Sequence, residues 1–164
     1  MKKILIPLLA VTVSASAQEY KCASTKFTTG MGIGYSTHKE FSFGFEAGII
    51  PASSSVYFTI GGIAYTAKKN PNERWATAEA GGRLYYFKKV SETGSLHLFG
   101  QIRYVTQGGE RNGYNQWSPG IGAALTKRIS QNEKGEGYLK FEVEHTFLSP
   151  VSRTRAGIIF VGVL

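Results

Sequence analysis

The chain contains no Asp: its 11 acids are all Glu, so any carboxylate chemistry or ion pairing must use glutamates. Its single Cys, Cys22, excludes an intrachain disulfide. Lys21 directly before it, with no Leu-small-small approach, argues against a lipoprotein and for an ordinary thiol in a short N-terminal tail. The three His residues, His38, His97 and His145, fall on separate segments without ligand spacing, so no metal and no other cofactor is expected. "GMGIG", residues 30–34, is not followed by the helix that a phosphate-cradling glycine loop requires.

Long apolar runs are equally scarce. The one run, Ile4 to Val13, follows Lys2 and Lys3, carries Pro7 and leads into "SASAQ". It is too short for a spanning helix, which needs roughly 20 residues, and has the layout of a secretory signal peptide. Cleavage is expected before Gln18, leaving residues 1–17 as signal, 18–25 as a tail and 26–164 as one domain. Without the leader, 17 basic residues stand against 11 acids, a net charge of about +6. Those cations are spread through alternating segments and turns rather than gathered in a stripe, so no nucleic-acid partner is expected.

What the chain has in quantity is Gly, Tyr, Phe and two-residue alternation. Eight segments carry it: 26–37, 39–50, 54–66, 74–88, 94–107, 116–130, 137–148 and 151–164. Most are about twice the length of an ordinary soluble strand of ~5–6 residues, which points to a membrane. Short polar connectors between them favour antiparallel neighbours in an up-and-down meander. Eight long strands left open would expose two bare edges, and closure into a barrel removes them.

Alternating side chains point to opposite sides of a strand, so each segment has two walls. In the first, Phe27, Met31, Ile33 and Tyr35 oppose Lys26, Thr28, Gly30, Gly32, Gly34 and Ser36; in the second, Phe41, Phe43 and Phe45 oppose Glu40, Ser42, Gly44 and Glu46. In the fifth, Phe99 and Val105 interrupt a polar side that holds His97, Gln101 and Arg103, and the third is ambiguous around Gly61 and Gly62. The polar walls mix small residues with charges of both signs, which suits a narrow polar lumen better than a soluble surface. Five acids (Glu40, Glu46, Glu79, Glu142, Glu144) meet six bases (Arg83, Arg103, Arg128, Lys140, Arg153, Arg155) on those walls. Buried charges must be paired, so a near-balanced ion-pair lumen is expected.

Aromatic residues on the apolar walls fall near strand ends: Tyr35, Phe41, Tyr104, Trp117 and Phe147 toward an outer rim, Phe27, Tyr86 and Phe160 toward an inner one. Such girdles are expected of transmembrane barrels. The closing "RAGIIFVGVL" alternates to Leu164 and looks like the last strand of bacterial outer-membrane proteins, although Leu replaces their commoner terminal Phe.

By this pattern the chain resembles the small eight-stranded outer-membrane barrels of the OmpX and OmpA-transmembrane-domain class. The resemblance implies an all-β, eight-stranded antiparallel up-and-down transmembrane barrel in the bacterial outer membrane. It implies contact with outer-membrane lipids and lipopolysaccharide, insertion by the barrel-assembly machinery and a monomeric state. It implies no particular activity, because fold alone does not give function. The expected role is structural or surface interaction, without an open pore and without catalysis.

Two alternatives compete with that role. Lipid A deacylases of the PagL type are similar barrels that carry a membrane-facing His and Ser two residues apart. Here the position two after His145 is Phe147, and Ser149 lies roughly 13 Å on by strand rise, which leaves His145 a weak catalytic candidate. A soluble lipocalin-like or avidin-like carrier would instead turn its apolar walls inward. Glu142 and Glu144, about 7 Å apart on one wall, have the spacing of a glycosidase pair, but Lys140 and the arginines favour ion pairing. Lys68, Lys69 and Arg74, in an expected outer turn, are candidates for contacts to lipopolysaccharide phosphates.

Overall fold

The computed structural model describes residues 24–37, 39–70, 73–108, 115–147 and 152–164, without the side chains of 67–70, 73–77 and 107–108. The expected signal peptide, Cys22, His38 and Ser149 lie outside the described residues.

Eight strands follow one another: β1 Lys26–Ser36, β2 Glu40–Ile50, β3 Val56–Asn70, β4 Glu73–Lys89, β5 Gly94–Gly108, β6 Asn115–Asn132, β7 Gly135–Thr146 and β8 Arg153–Val163. Each pairs antiparallel with the next, and β8 returns to β1 to close the barrel. Closure leaves no free edge, so every strand finds its ladder partners within the wall. Phe27 and Leu164 exchange backbone hydrogen bonds of 3.0 and 2.9 Å, so both ends of the barrel chain meet at one rim.

Alternation fixes which side each residue faces, because a one-residue slip in register would send every side chain to the opposite wall. β2 shows the pattern plainly: Phe41, Phe43 and Phe45 are exposed while Glu40, Ser42 and Glu46 are buried. β3, ambiguous in sequence, turns Tyr57, Thr59, Ile63 and Tyr65 inward and Phe58 and Ile60 outward. Its ambiguity arose because this strand is apolar on both sides.

The β3–β4 hairpin differs from expectation. Lys68 and Lys69, expected in the connector, belong to β3, while Arg74 lies in β4 as the expected fourth segment has it, with Lys68 opposite Arg74 and Asn70 opposite Glu73. A Lys-Lys-Asn run has the composition of a turn, but continued pairing across the hairpin satisfies the backbone groups and carries both strands past it.

Two glycines show how closely the wall is drawn. A Cβ on Gly81 would lie 2.1 Å from the Ile102 carbonyl oxygen and 2.7 Å from the Arg103 Cα. On Gly32 it would lie 2.3 Å from the Ile158 carbonyl oxygen. Both approaches are to backbone, which cannot rotate away as a side chain can.

Candidate functional site

The barrel is polar inside and apolar outside. Phe27, Met31, Ile33, Phe41, Phe45, Ile60, Leu98, Trp117, Ile121 and Phe160 are among the exposed large apolar residues, while Glu79, Lys140, Glu142, Glu144 and Arg155 are 2% exposed or less. Hydrocarbon surface on that scale, continuous around the wall, far exceeds the few hundred Å² that a water-soluble monomer exposes.

Charged side chains enter the interior from β2, β4, β5, β7 and β8. Arg83 Nη1 lies 3.2 Å from Glu46 and 3.0 Å from Glu142, and its Nη2 meets Glu144. Arg103 bridges Glu79 and Glu144, each at 2.9 Å. Arg155 Nη1 sits 2.6 Å from Glu142 and 3.4 Å from Glu144. Lys140 pairs with Glu46 and lies 3.6 Å from Glu142. Arg153 reaches Glu79 at 2.8 Å and Glu40 at 3.0 Å.

These pairs connect five glutamates to four arginines and one lysine, so the cluster carries no net charge. Neutrality is required physically, since an unpaired ion in such surroundings costs several kcal/mol or more. Neutral donors and acceptors complete the set. Tyr85 OH donates to Glu46 at 3.1 Å and accepts from Arg83 at 2.9 Å, and Arg155 Nε donates to Ser42 at 2.7 Å. Gln101 accepts from Arg83 Nε at 3.1 Å and donates to Thr146 at 3.2 Å. The room for these long side chains comes largely from β1 and β6, whose inward positions include Gly30, Gly32, Gly34, Ser118, Gly120 and Gly122.

The eleven charged residues singled out in sequence are therefore placed as follows. Glu40, Glu46, Glu79, Arg83, Arg103, Lys140, Glu142, Glu144, Arg153 and Arg155 are brought together in this cluster. Arg128 faces the same interior but makes its ion pair with Glu136, at 3.4 Å, near the rim that carries the chain ends. Glu136, not singled out in sequence, also takes Lys26 at 3.5 Å and a 2.8 Å hydrogen bond from Tyr138. Its position beside the β6–β7 turn made it look like part of a connector.

Aromatic residues inside the barrel were only partly legible. Tyr57 and Tyr85 stack with ring centroids 4.5 Å apart, and Phe99 lies 4.8 Å from Tyr85 and under the Arg83 guanidinium. His97 joins this layer, its Nδ1 3.1 Å from Tyr57 OH and its Nε2 3.1 Å from Thr126 Oγ1. Between this layer and the chain-end rim is a cavity of about 110 Å³, lined in part by Lys26, Phe87, His97, Glu136 and Val163. Among the described residues no three His, Cys or Glu come together as metal ligands.

His145 faces outward near the opposite rim. Its Nδ1 lies 2.9 Å from Thr154 Oγ1, directly across the β7–β8 register, and its ring meets Phe147 edge-on at 4.8 Å. Tyr35 with Phe41, and Tyr104 with Trp117, make edge-on pairs at 5.1 and 5.3 Å at this same rim. The side chains of Lys68, Lys69 and Arg74 lie outside the described residues.

The closed eight-stranded meander has structural counterparts. The fold is that of the small eight-stranded outer-membrane barrels. Neisserial surface protein A matches with 16% identity over 85% of this chain and 93% of its own, at a TM-score of 0.53. The N-terminal β-barrel domain of Pseudomonas aeruginosa OprF matches with 9% identity over 86% and 98%, at 0.57. A de novo designed transmembrane β-barrel matches with 19% identity over 86% and 98%, at 0.53. No protein-family profile and no curated sequence matches the chain.

Proposed function

We propose that the chain is a bacterial outer-membrane barrel with a closed, salt-bridged interior and a structural or surface-interaction role. The rim carrying both chain ends faces the periplasm. The observation that carries this reading is the inverted polarity: a neutral cluster of ten buried ions inside an exterior of exposed Phe, Ile, Leu and Met. Only a hydrocarbon solvent stabilises that arrangement.

Arg83, Arg103, Arg155, Tyr85 and Phe99 cross the middle of the barrel, which argues against a diffusion channel. A soluble carrier would present the reverse polarity. In the deacylase alternative a Ser would accompany His145 on its own strand; the hydroxyl beside it here is Thr154, from β8. The partners that fit are outer-membrane lipids and lipopolysaccharide at the apolar wall, and the barrel-assembly machinery at the last strand, with the protein itself a monomer.

Cell fractionation followed by gel migration with and without boiling tests the location, and planar-bilayer recording tests the closed interior. The expected result is an outer-membrane protein with a heat-dependent shift and no conductance steps. Recovery in the soluble periplasm with no shift contradicts the location, and reproducible conductance steps contradict the closed interior.

A further inference from the structure

The outer wall is not evenly filled. A groove of about 690 Å³ crosses β4 to β7, walled by Leu84, Tyr86, Leu98, Ile121 and Val143. Its floor includes Gly100, where an added Cβ would meet nothing within 4 Å, and Ala123. The register Leu84, Gly100, Ile121, His145, Thr154 runs across successive strands. Tyr86 lies near the chain-end rim of β4 and His145 near the opposite rim of β7, so the groove runs obliquely from one rim toward the other.

His145 and Tyr86 are the side chains with polar groups that line the groove from this outer wall, and His145 closes the end away from the chain ends. Thr154 Oγ1 engages Nδ1, while Nε2 has no partner among the described residues. Where the Thr154 hydroxyl donates to Nδ1, the imidazole carries a proton at Nε2 and keeps a free donor. The Thr154 amide in turn donates to Thr37 Oγ1 at 3.2 Å, which ties this corner to the β1–β2 turn and its exposed cation Lys39. An apolar cleft with a polar group at one end is the layout of a site for an amphiphile whose polar head lies at that end.

We propose that this groove holds one acyl chain of lipid A, with His145 Nε2–H donating to an ester or phosphate oxygen of the same molecule. The inference rests on the outer-membrane reading above, which puts the His145 end in the outward leaflet. The groove's walls admit hydrocarbon, and His145 stands where the polar head of a lipid in the outward leaflet would lie.

The test uses the full barrel purified from outer membranes in mild detergent and titrated with lipid A or with phosphatidylethanolamine, bound lipid being counted by native mass spectrometry. One lipid A is expected to be retained. Its affinity should fall about tenfold in Gly100→Leu, which fills the floor, and about tenfold in His145→Ala, the worth of one hydrogen bond. Ala80→Leu, lipid-facing outside the groove, should bind as the parent does. Heat-shifted migration of each variant checks folding, and if Gly100→Leu fails to fold, His145→Ala carries the test. Unchanged lipid A affinity in the folded groove variants, or equal retention of phosphatidylethanolamine, overturns the site and leaves the barrel assignment standing. A chain that is soluble without detergent overturns both.

Discussion

Glu144 and His145 are neighbours in the chain but occupy opposite sides of the barrel wall. The Glu144 carboxylate meets Arg83, Arg103 and Arg155 inside, while His145 Nδ1 meets the Thr154 hydroxyl outside. A strand's alternation separates what sequence adjacency seems to join, so the two cannot act on one substrate. Glu144 belongs to an electrostatic core, and His145 to the apolar outer surface.

Removing one member of the core should be costly because it strands its partners. Glu144→Gln leaves three arginines short of a carboxylate and is expected to destabilise the barrel by about 3–5 kcal/mol. Urea unfolding in lipid vesicles measures it, with Glu92→Gln at an exposed turn as the reference, expected within about 0.5 kcal/mol of the parent.

Coupling should be visible between Arg153 and Glu40, which lie 3.0 Å apart near the rim away from the chain ends. The double variant Arg153→Met with Glu40→Gln should lose less than the two single losses added together. An interaction term of about 0.5–3 kcal/mol is expected from a double-mutant cycle. Strict additivity would show that the pair is not energetically linked.

On the outer wall the penalty for charge should depend on depth. Met31 lies at the middle of β1 and Tyr35 one residue from its end. Met31→Arg should cost about 2–4 kcal/mol and Tyr35→Arg about 0–1, by vesicle-based unfolding. Equal costs at the two positions would contradict an apolar belt with interfacial rims.

Glycine substitutions should divide in the same manner. Gly81→Ala drives its methyl group into the Ile102 carbonyl and is expected to cost about 1–3 kcal/mol by overpacking, whereas Gly100→Ala enters open space and should fall within about 0.5 kcal/mol of the parent. The same unfolding assay compares them.

The alternation that makes these contrasts possible is written in the sequence. Phe41, Phe43 and Phe45 against Glu40, Ser42 and Glu46 set the faces of β2 without any knowledge of the fold. Most strand limits follow from turn residues, and β1, β2, β4 and β5 start and stop within one residue of expectation. β3 was harder, because Tyr57, Ile63 and Tyr65 pack inside among charged groups while Phe58 and Ile60 face outward; hydrophobicity then carries no direction. Partner choice was also hidden. That Arg128 turns to Glu136, and that Arg83 meets three glutamates from two strands, depends on the stagger between strands that are far apart in sequence. The groove at Gly100 depends on the same stagger, since it aligns small residues on β5 and β6 beside His145 on β7.

With this polarity the chain should be stable only with its exterior in hydrocarbon and its ions inside. Circular dichroism of residues 18–164, diluted from denaturant into buffer alone or into buffer with detergent micelles, tests it most directly. The expected result is a β-sheet spectrum and cooperative unfolding with micelles, and aggregation or an unfolded spectrum without them. A monomeric, cooperatively folded β-protein in buffer alone would contradict it.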